Sequence, residues 1–447
     1  MNASTGRRWM LGSAFGALAA MLALTLALAA AGAFQHSPGD WRVTIGQLGA
    51  RQLTVNVEAV LRFATSPVGL RLLDGVERRT AIGTVRARRE GDTLLLRCAP
   101  CHIRHPRLAV ETVRIEAVEL RVRRRPEGLY DGVLAAGSVR IGWEARVDGR
   151  GMALRWSLEA TPLAAIVAVL GDALTEGRIA HIEGRVRARG SVALPDGRGT
   201  AQVQLLDATV AGLGTERLQY GRFDFRCTTA AGSTHWLSTG DRERGWIALD
   251  RLGTHLPAAV IAAEDQRFAE HAGIDEVEIA RVLAQFSLRE GDAAMRGAST
   301  LTQQLARTVF TGGERTAVRK LRETLYALEM ERTLGKPRIL ELYLNTVDWG
   351  PGICGARDAA RMYFAKMPAR LDPLEAAWLA ASLRHPQRSW REEFVGGLVN
   401  VAAAQRVLAQ RRDLTRRERA QWLRRALVLA QPPVEGREHA SHALAQR

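Results

Sequence analysis

Lysine is nearly absent from this sequence: of 63 basic residues only three are lysines, Lys320, Lys336 and Lys366. The arginines that supply the remaining positive charge are spread through every region, without a basic block or a basic patch interleaved with aromatic residues. This distribution argues against a nucleic-acid-binding protein. The net charge of +16 still indicates an anionic partner, and a membrane surface or a phosphorylated substrate would both fit.

Charged residues are also missing from a long stretch near the N-terminus, from Met10 to Phe34. About 20 apolar residues suffice for a helix to cross a membrane. Arg7 and Arg8 precede the stretch, so the positive-inside rule predicts a cytoplasmic N-terminus and an exported remainder. A cleavable signal peptide is the alternative, because small residues near Ala29 to Ala33 offer cleavage sites. The length of the stretch favours a single-pass anchor in the inner (cytoplasmic) membrane.

Cysteine is scarce, with four residues in 447. Cys98 and Cys101 are followed by His102, which matches the haem-attachment pattern of exported proteins. No second axial ligand is evident, so haem is not expected. A local disulfide between Cys98 and Cys101 and a reduced pair both remain open. Cys227 and Cys354 have no evident partner in the sequence.

Between about Trp41 and Thr239 the apolar residues alternate with polar ones, which is the period of half-buried strands. Pro126-Glu127-Gly128 and Pro195-Asp196-Gly197 are turn signals between strands, and one helix is expected from about Pro162 to Leu174. The pattern predicts a β-rich domain, an antiparallel sheet or a sandwich, in which no catalytic constellation is evident.

From about Trp246 the period changes to 3.6 and no further strands are expected. Leu321, Leu325 and Leu328 mark an amphipathic helix, and Asp372-Pro373 predicts the start of another that ends near Leu383. The C-terminal region is therefore predicted to be mainly α.

Two adjacent acids end an apolar run in this helical region. Val260 to Ala263 lead directly into Glu264 and Asp265, and Phe268 and His271 follow. A carboxyl beside a buried run can be desolvated, which raises its pKa and suits it to proton transfer near neutral pH. An ordinary helix end with solvated acids is the alternative.

Two further segments carry polar chemistry. Hydroxyls and amides are dense from Gly297 to Gln304, and they suit either a sugar or phosphate site or a capped helix start at Ser299 or Thr300. Farther on, Arg319 and Lys320 lie beside Glu323. These cations could neutralise a departing pyrophosphate while the acid assists or holds a metal, and an exposed helical salt bridge is the alternative.

Taken in order, these segments resemble glycosyltransferase family 51, the peptidoglycan glycosyltransferases, as do the blocks Glu341 to Asn345 and Gly350 to Lys366. The likeness runs from about Trp246 to Leu408. It implies a lysozyme-like α fold that polymerises lipid II into β-1,4-linked glycan strands and releases undecaprenyl diphosphate. The reaction inverts the donor carbon and needs no covalent enzyme intermediate.

The resemblance also implies roles for individual residues. Glu264 would be the general base, and Glu323 would assist the leaving group, directly or through a divalent cation such as Mg or Mn. The substrate-binding residues that it implies are Asp265, Phe268, His271, Ser299, Thr300, Gln303, Gln304, Arg307, Arg319, Lys320 and Asn345. Arg307 departs from the family pattern, which usually has lysine at that position.

The expected organisation is multi-domain: a cytoplasmic tip and transmembrane anchor (1–35), a β-rich domain of unknown role (36–240), a catalytic domain (241–410) and an Arg-rich helical tail (411–447). No Ser-x-x-Lys transpeptidase motif follows the catalytic region, so a monofunctional enzyme is expected. The expected partners are lipid II, the growing glycan, the membrane and cell-wall assembly proteins. A lysozyme-like hydrolase and a non-catalytic envelope scaffold are the alternatives. A hydrolase would not need the Arg319-Lys320 pair or the Gly297 to Gln304 segment, and a scaffold would show no polymerisation.

Overall fold

The computed structural model of the protein describes residues 42–48, 51–148, 150–229, 233–283, 286–287 and 299–431. The apolar stretch from Met10 to Phe34, predicted to be a membrane anchor, lies outside these residues. Among the helices that are described, none combines the length and the apolar character required to cross a membrane.

A ten-stranded antiparallel sheet dominates the first half of the chain, and its strands run in the order β16 (Phe286–Ser287), β13 (Arg198–Ala211), β12 (His181–Leu194), β11 (Gly151–Pro162), β10 (Val139–Asp148), β9 (Leu129–Ala136), β8 (Val118–Arg124), β5 (Thr93–Cys98), β4 (Gly83–Glu90) and β3 (Glu77–Thr80). Both predicted turns join neighbouring strands of this sheet, β8 to β9 and β12 to β13. The antiparallel sheet predicted from the alternating pattern is thereby confirmed.

Helices pack against the buried face of this sheet. Leu70 of α2 (Pro67–Leu73) lies in one apolar cluster with Tyr130 and Val147, and α1 (Val57–Ala64) precedes α2. Farther along the sheet, α3 (Leu163–Leu170) packs against Leu158 and the neighbouring strands. The region is therefore a sheet with helices on it, and the predicted sandwich alternative does not describe it.

Two small strand pairs of the same region are separate from this sheet. One joins β1 (Arg42–Leu48) to β2 (Arg51–Asn56), and the other joins β6 (Cys101–Ile103) to β7 (Val113–Ile115). At the start of β6 a disulfide links Cys101 to Cys98, so the structure has the bonded form of the two alternatives that the sequence left open.

Helices form most of the chain from His255 onward. They are α4 (His255–Glu264), α5 (Glu276–Leu283), α6 (Leu301–Ala306) with a π-helical turn after it (Arg307–Thr311), α7 (Ala317–Thr333), α8 (Gly335–Thr346), α9 (Ala356–Phe364), α10 (Pro373–Ser382), α11 (Pro386–Arg388), α12 (Val401–Gln410) and α13 (Arg416–Trp422). The predicted start of α10 is confirmed, because Asp372 caps it in a reciprocal capping box with Glu375. The largest apolar core of the described chain lies among these helices and includes Leu256, Val260, Tyr343 and Trp378.

The expectation that strands end near Trp246 is wrong in two places. Strand β16 (Phe286–Ser287) pairs with β13 at the edge of the large sheet. Strands β17 (Asp348–Gly350) and β18 (Ile353–Cys354) form a short hairpin between α8 and α9. Strands of two or three residues are too short to produce a visible alternation in the sequence.

A further hairpin, β14 (Arg222–Thr228) with β15 (Thr234–Gly240), falls within the region predicted as the β-rich domain. Its residues Phe223, Phe225 and Cys227 pack into the core formed by the helices, not onto the large sheet. A disulfide joins Cys227 to Cys354 on β18, with 6.0 Å between the Cα atoms. No pattern in the sequence indicated this pairing, which fastens the hairpin to the helical region.

Removing this second disulfide should destabilise the protein measurably. It spans a sequence separation of 127 residues, whereas the Cys98–Cys101 bond spans three. A cross-link that closes a long loop restricts the unfolded chain most, and a typical stabilisation is about 2–4 kcal/mol. We expect the Cys227→Ala/Cys354→Ala variant to lose about that much free energy of unfolding in denaturant titrations. The Cys98→Ala/Cys101→Ala variant is the matched control and should lose clearly less; equal losses would contradict the prediction.

Candidate active site

Glu264 is the last residue of α4, at the end of a buried apolar run. Val260 on the same helix is completely buried, so the carboxyl is carried on a helix anchored in the core. The Nε2 of Gln304 donates a hydrogen bond to Glu264 Oε2 at 2.9 Å. Burial raises the pKa of Glu264, against the opposing effects of the Gln304 hydrogen bond and of Arg384 and Arg307. A carboxyl with a raised pKa is suited to accept a proton near neutral pH.

Asp265, the next residue in the chain, connects two segments of the fold through hydrogen bonds. Its carboxylate accepts hydrogen bonds from His271 Nε2 at 2.9 Å and from the backbone N–H of Leu301 at 2.9 Å. The N–H of Gly273 donates to His271 Nδ1, which fits a neutral imidazole with its proton on Nε2. Asp265 therefore joins the segment after α4 to the first residue of α6.

The start of α6 is a capped helix. The Thr300 hydroxyl oxygen accepts a hydrogen bond from the backbone N–H of Gln303, and the Gln303 side-chain oxygen accepts one from the backbone N–H of Thr300. The Thr300 hydroxyl also donates to the carbonyl of Gly273 at 2.6 Å. The capped helix start that the sequence suggested is thus present, and it fixes the two glutamines, Gln303 and Gln304, in place.

On α7, Arg319, Lys320 and Glu323 form one ion cluster. Arg319 pairs with Glu323 Oε1, and Lys320 Nζ lies 3.2 Å from Glu323 Oε2. Only 3% of the Glu323 side chain is exposed, so this is not the exposed helical salt bridge that the sequence left open. Burial lowers the pKa of Lys320, although Glu323 acts in the opposite direction.

Neighbouring residues of α6 connect the two acids. Gln304 donates to Glu264 as described, and the Oε1 of Gln303 accepts a hydrogen bond from Lys320 Nζ at 2.8 Å. Lys320 also donates to the hydroxyl of Ser299 at 2.7 Å. A short polar network thus runs from the desolvated acid through α6 to the cation cluster, although 59 positions separate Glu264 from Glu323 in the sequence.

Two of the predicted substrate-binding residues have structural contacts. The amide of Asn345 binds both the N–H and the carbonyl of Ile247. Phe268 is buried, with the ammonium of Lys336 4.4 Å from its ring centre. Phe268 also lies edge-on to His271, with 6.3 Å between the ring centres. The predicted contact of Asn345 and Phe268 with substrate stays a prediction.

Sequence reasoning missed two residues near Glu264. Tyr343 donates from its hydroxyl to Gln304 Oε1 at 3.1 Å, which orients the amide so that its nitrogen points to Glu264. Arg384 follows α10 and favours the ionised form of Glu264. Tyr343 lies within a block that the sequence singled out, whereas no sequence pattern pointed to Arg384.

Glu323 is poorly suited to hold a divalent cation with protein ligands alone. Both of its oxygens pair with cationic side chains, and the described residues contain no group of three or more His, Cys, Asp or Glu side chains placed to bind a metal. Hard cations such as Mg²⁺ require several oxygen ligands. The predicted cation would therefore depend on oxygens from a substrate.

Comparison with known proteins agrees with this site. The Transglycosylase family model matches residues 232–413, which include every residue of the network described above. The "Biosynthetic peptidoglycan transglycosylase" of Rhodospirillum centenum is 43% identical over 178 residues, which are 39% of this chain and 74% of that protein. The chain belongs to the transglycosylase family.

Other family members align over shorter segments. The proteins of the same name from Shewanella amazonensis and Thiobacillus denitrificans are 48% and 44% identical over 141 and 151 residues, or 32% and 34% of this chain. The chain spans 56% and 63% of the length of these two relatives. A crystal structure of penicillin-binding protein 1A from Haemophilus influenzae is matched at 18% identity over 50% of this chain and 24% of that one. Its TM-score is 0.23, too low for a comparison of folds.

The transglycosylase match includes the β14–β15 hairpin only in part, and it excludes the ten-stranded sheet apart from the two residues of β16. The sheet is thus an addition to the part of the chain by which the family is recognised. The predicted likeness of the helical region to lysozyme stays a prediction.

Proposed function

We propose that this protein is a peptidoglycan glycosyltransferase that polymerises lipid II into β-1,4-linked glycan strands and releases undecaprenyl diphosphate. The observation that carries the proposal is the contrast between its two acids. Glu264 is desolvated and has a raised pKa, whereas Glu323 lies between two cations. Sugar transfer from a lipid pyrophosphate requires a proton acceptor at one end of the site and positive charge at the other.

Glu264 is proposed as the general base. Its carboxylate takes the proton of the acceptor sugar's 4-hydroxyl while that oxygen forms a bond to C1 of the donor sugar. The bond between C1 and the pyrophosphate oxygen breaks, and its electron pair leaves with the lipid pyrophosphate. A single displacement at an α-linked donor gives a β-linked product without a covalent enzyme intermediate.

Arg319 and Lys320 are proposed to stabilise the negative charge that develops on the leaving pyrophosphate. The Nε of Arg319 is buried and makes no hydrogen bond to the described residues. Arg307 adds positive charge close enough to influence both Glu264 and Lys320. Glu323 holds the two cations in one orientation through its paired oxygens.

The site is proposed to work at the outer face of the cytoplasmic membrane, where its lipid substrate lies. A net charge of +16 favours approach to a surface that carries anionic lipids. The uncharged stretch from Met10 to Phe34, preceded by Arg7 and Arg8, supports a single-pass anchor with the remainder of the chain outside.

A polymerisation assay tests this function. The full-length protein in detergent is incubated with labelled lipid II, and the products are separated by size. We expect long glycan chains that a muramidase degrades, together with free undecaprenyl diphosphate. Release of fragments from finished peptidoglycan without any polymer from lipid II would instead indicate a hydrolase, and the absence of both activities would support the scaffold alternative.

A further inference from the structure

Helix α7 makes polar contacts on two of its faces. Lys320 and Thr324 face α6, where Lys320 donates to Gln303 Oε1 and the Thr324 hydroxyl accepts a hydrogen bond from Gln303 Nε2 at 3.2 Å. On another face, Arg322 and Glu329 are seven positions apart, which places them on one side of a helix. Both of these side chains contact the region that precedes the catalytic residues.

Arg322 binds a buried acid of the β-rich region. Its Nε donates to Glu176 Oε1 at 2.6 Å, and only 3% of the Glu176 side chain is exposed. Glu176 lies in a short 3-10 turn that follows α3, so the contact joins residues 146 positions apart. An ion pair between a buried carboxylate and a planar guanidinium has a strongly preferred geometry. Removal of one partner leaves a buried charge unpaired.

Glu329 makes a second connection near the other end of α7. Its side chain is fully buried, and it accepts hydrogen bonds from the backbone N–H groups of Leu213, at 2.8 Å, and of Thr215, at 3.3 Å. The hydroxyls of Thr215 and Thr333 are 2.8 Å apart. The segment directly after β13 is thereby fixed to the last two turns of this helix.

The start of α7 is held in the same way. The N–H groups of Ala317 and Val318 donate to the carbonyls of Arg107 and Leu108, at 2.8 and 3.0 Å. These first N–H groups have no partner within a helix, so the loop between β6 and β7 supplies their acceptors.

An apolar cluster fills the space between the polar contacts. From α7 it contains Val318, Leu325 and Leu328, and it also includes residues from α3, β7, β13 and the segments next to them: Ala109, Val113, Leu163, Val167, Leu174, Val210 and Leu213. The β-rich region therefore contacts α7 at its start, along its middle and near its end.

We propose that the β-rich region is a positioning element for the glycosyltransferase site. It acts through Arg322 and Glu329 to fix the rotation of α7 about its axis and its position along that axis. This inference rests on the proposed function and gives a role to the region outside the family match. A helix rotates by about 100° and rises 1.5 Å per residue, so a small slip of α7 would move Arg319, Lys320 and Glu323 out of register with α6. A displacement of about 1 Å in a catalytic site can cost a hundredfold in rate.

The test compares Glu176→Gln and Arg322→Lys with the wild-type full-length protein. Glu176→Gln keeps the shape but removes the charge, and Arg322→Lys keeps the charge but removes the planar fork. Asp172→Asn is the matched control, because its ion pair with Arg178 lies nearby in the chain but is exposed. Backbone hydrogen exchange is measured in α7 and in α4, and kcat and KM are measured with lipid II.

We expect both variants to speed exchange in α7 about tenfold, the effect of losing one charge-assisted hydrogen bond, while α4 keeps its protection. The same variants should lower kcat about tenfold with little change in KM for lipid II, because the residues of α6 that the resemblance implies in substrate binding are unaltered. The Asp172→Asn control should change neither quantity. General unfolding would instead raise exchange in α4 and α7 together.

The exchange measurement does not depend on catalysis, so the two proposals can fail separately. Faster exchange in α7 of a protein without polymerase activity would refute the proposed function and leave α7 fastened by the β-rich region. Unchanged exchange and unchanged kcat in both variants would overturn the positioning role, whatever the wild-type activity. Faster exchange with an unchanged kcat would also overturn it, because the contact would then be structural alone.

Discussion

Replacing Glu264 by glutamine is expected to lower the rate of glycan polymerisation more than about a hundredfold, the usual contribution of a general base. Glutamine keeps the size of the side chain and its hydrogen bond with Gln304 but has no basic oxygen to take the acceptor proton. The rate is measured with labelled lipid II at saturating concentration, so that a loss of kcat is separated from a loss of binding.

Glu270→Gln provides a matched control on the same segment. Glu270 is half-exposed, and the described contacts of its carboxylate are long ion pairs with Arg267 and Arg412 at 3.5 and 3.9 Å. We expect this variant to keep the wild-type rate within about twofold, as surface substitutions usually do. A Glu264→Gln protein that folds normally and retains more than a tenth of the wild-type rate would remove Glu264 from the role of base.

The pH dependence of the reaction should have a definite sign. Glu264 acts only when it is ionised, and burial raises its pKa, so kcat/KM should fall as the pH drops through a value above the ordinary range of glutamate. Lys320 acts only when it is charged, and burial lowers its pKa. Activity should therefore also fall as the pH rises, and this loss should occur at a pH below the ordinary pKa of lysine. A pH–rate profile of Lys320→Arg tests the second limb, which should move to higher pH because arginine stays charged.

Local patterns predicted the elements that carry the site. The spacing of Leu321, Leu325 and Leu328 predicted α7, which runs from Ala317 to Thr333, and Asp372-Pro373 predicted the start of α10. Such features depend on residues within one or two helical turns, and they can therefore be recognised in a single sequence. The same holds for the turns of the sheet at Pro126 to Gly128 and Pro195 to Gly197.

Contacts between distant segments could not be predicted in this way. The Cys227–Cys354 bond, the Glu176–Arg322 ion pair and the hydrogen bonds to Glu329 join residues more than 100 positions apart. Their formation depends on how the sheet and helices pack, and no local period reports that packing. Glu176 and Glu329 look like ordinary acids in the sequence, and only their complete enclosure by the fold distinguishes them.

Glu323→Gln is expected to reduce polymerisation about a hundredfold, comparable to the loss of a preorganised charged group in other active sites. The substitution leaves Arg319 and Lys320 next to each other without the carboxylate that pairs with both. Because the Glu323 side chain is almost completely buried, we also expect the free energy of unfolding to fall by about 3 kcal/mol. Glu314→Gln, at an exposed position before α7, is the control and should change neither quantity.

A double variant separates the effect on catalysis from the effect on stability. In Arg319→Met/Glu323→Gln the unpaired guanidinium is gone, so much of the lost free energy of unfolding should return, as found when both partners of a buried pair are replaced. Polymerisation should remain as low as in the single variant or lower, because the charge that meets the pyrophosphate is reduced further. If the double variant instead recovered its rate together with its stability, Glu323 would serve only to neutralise Arg319, and neither residue could then be part of the machinery that stabilises the leaving group.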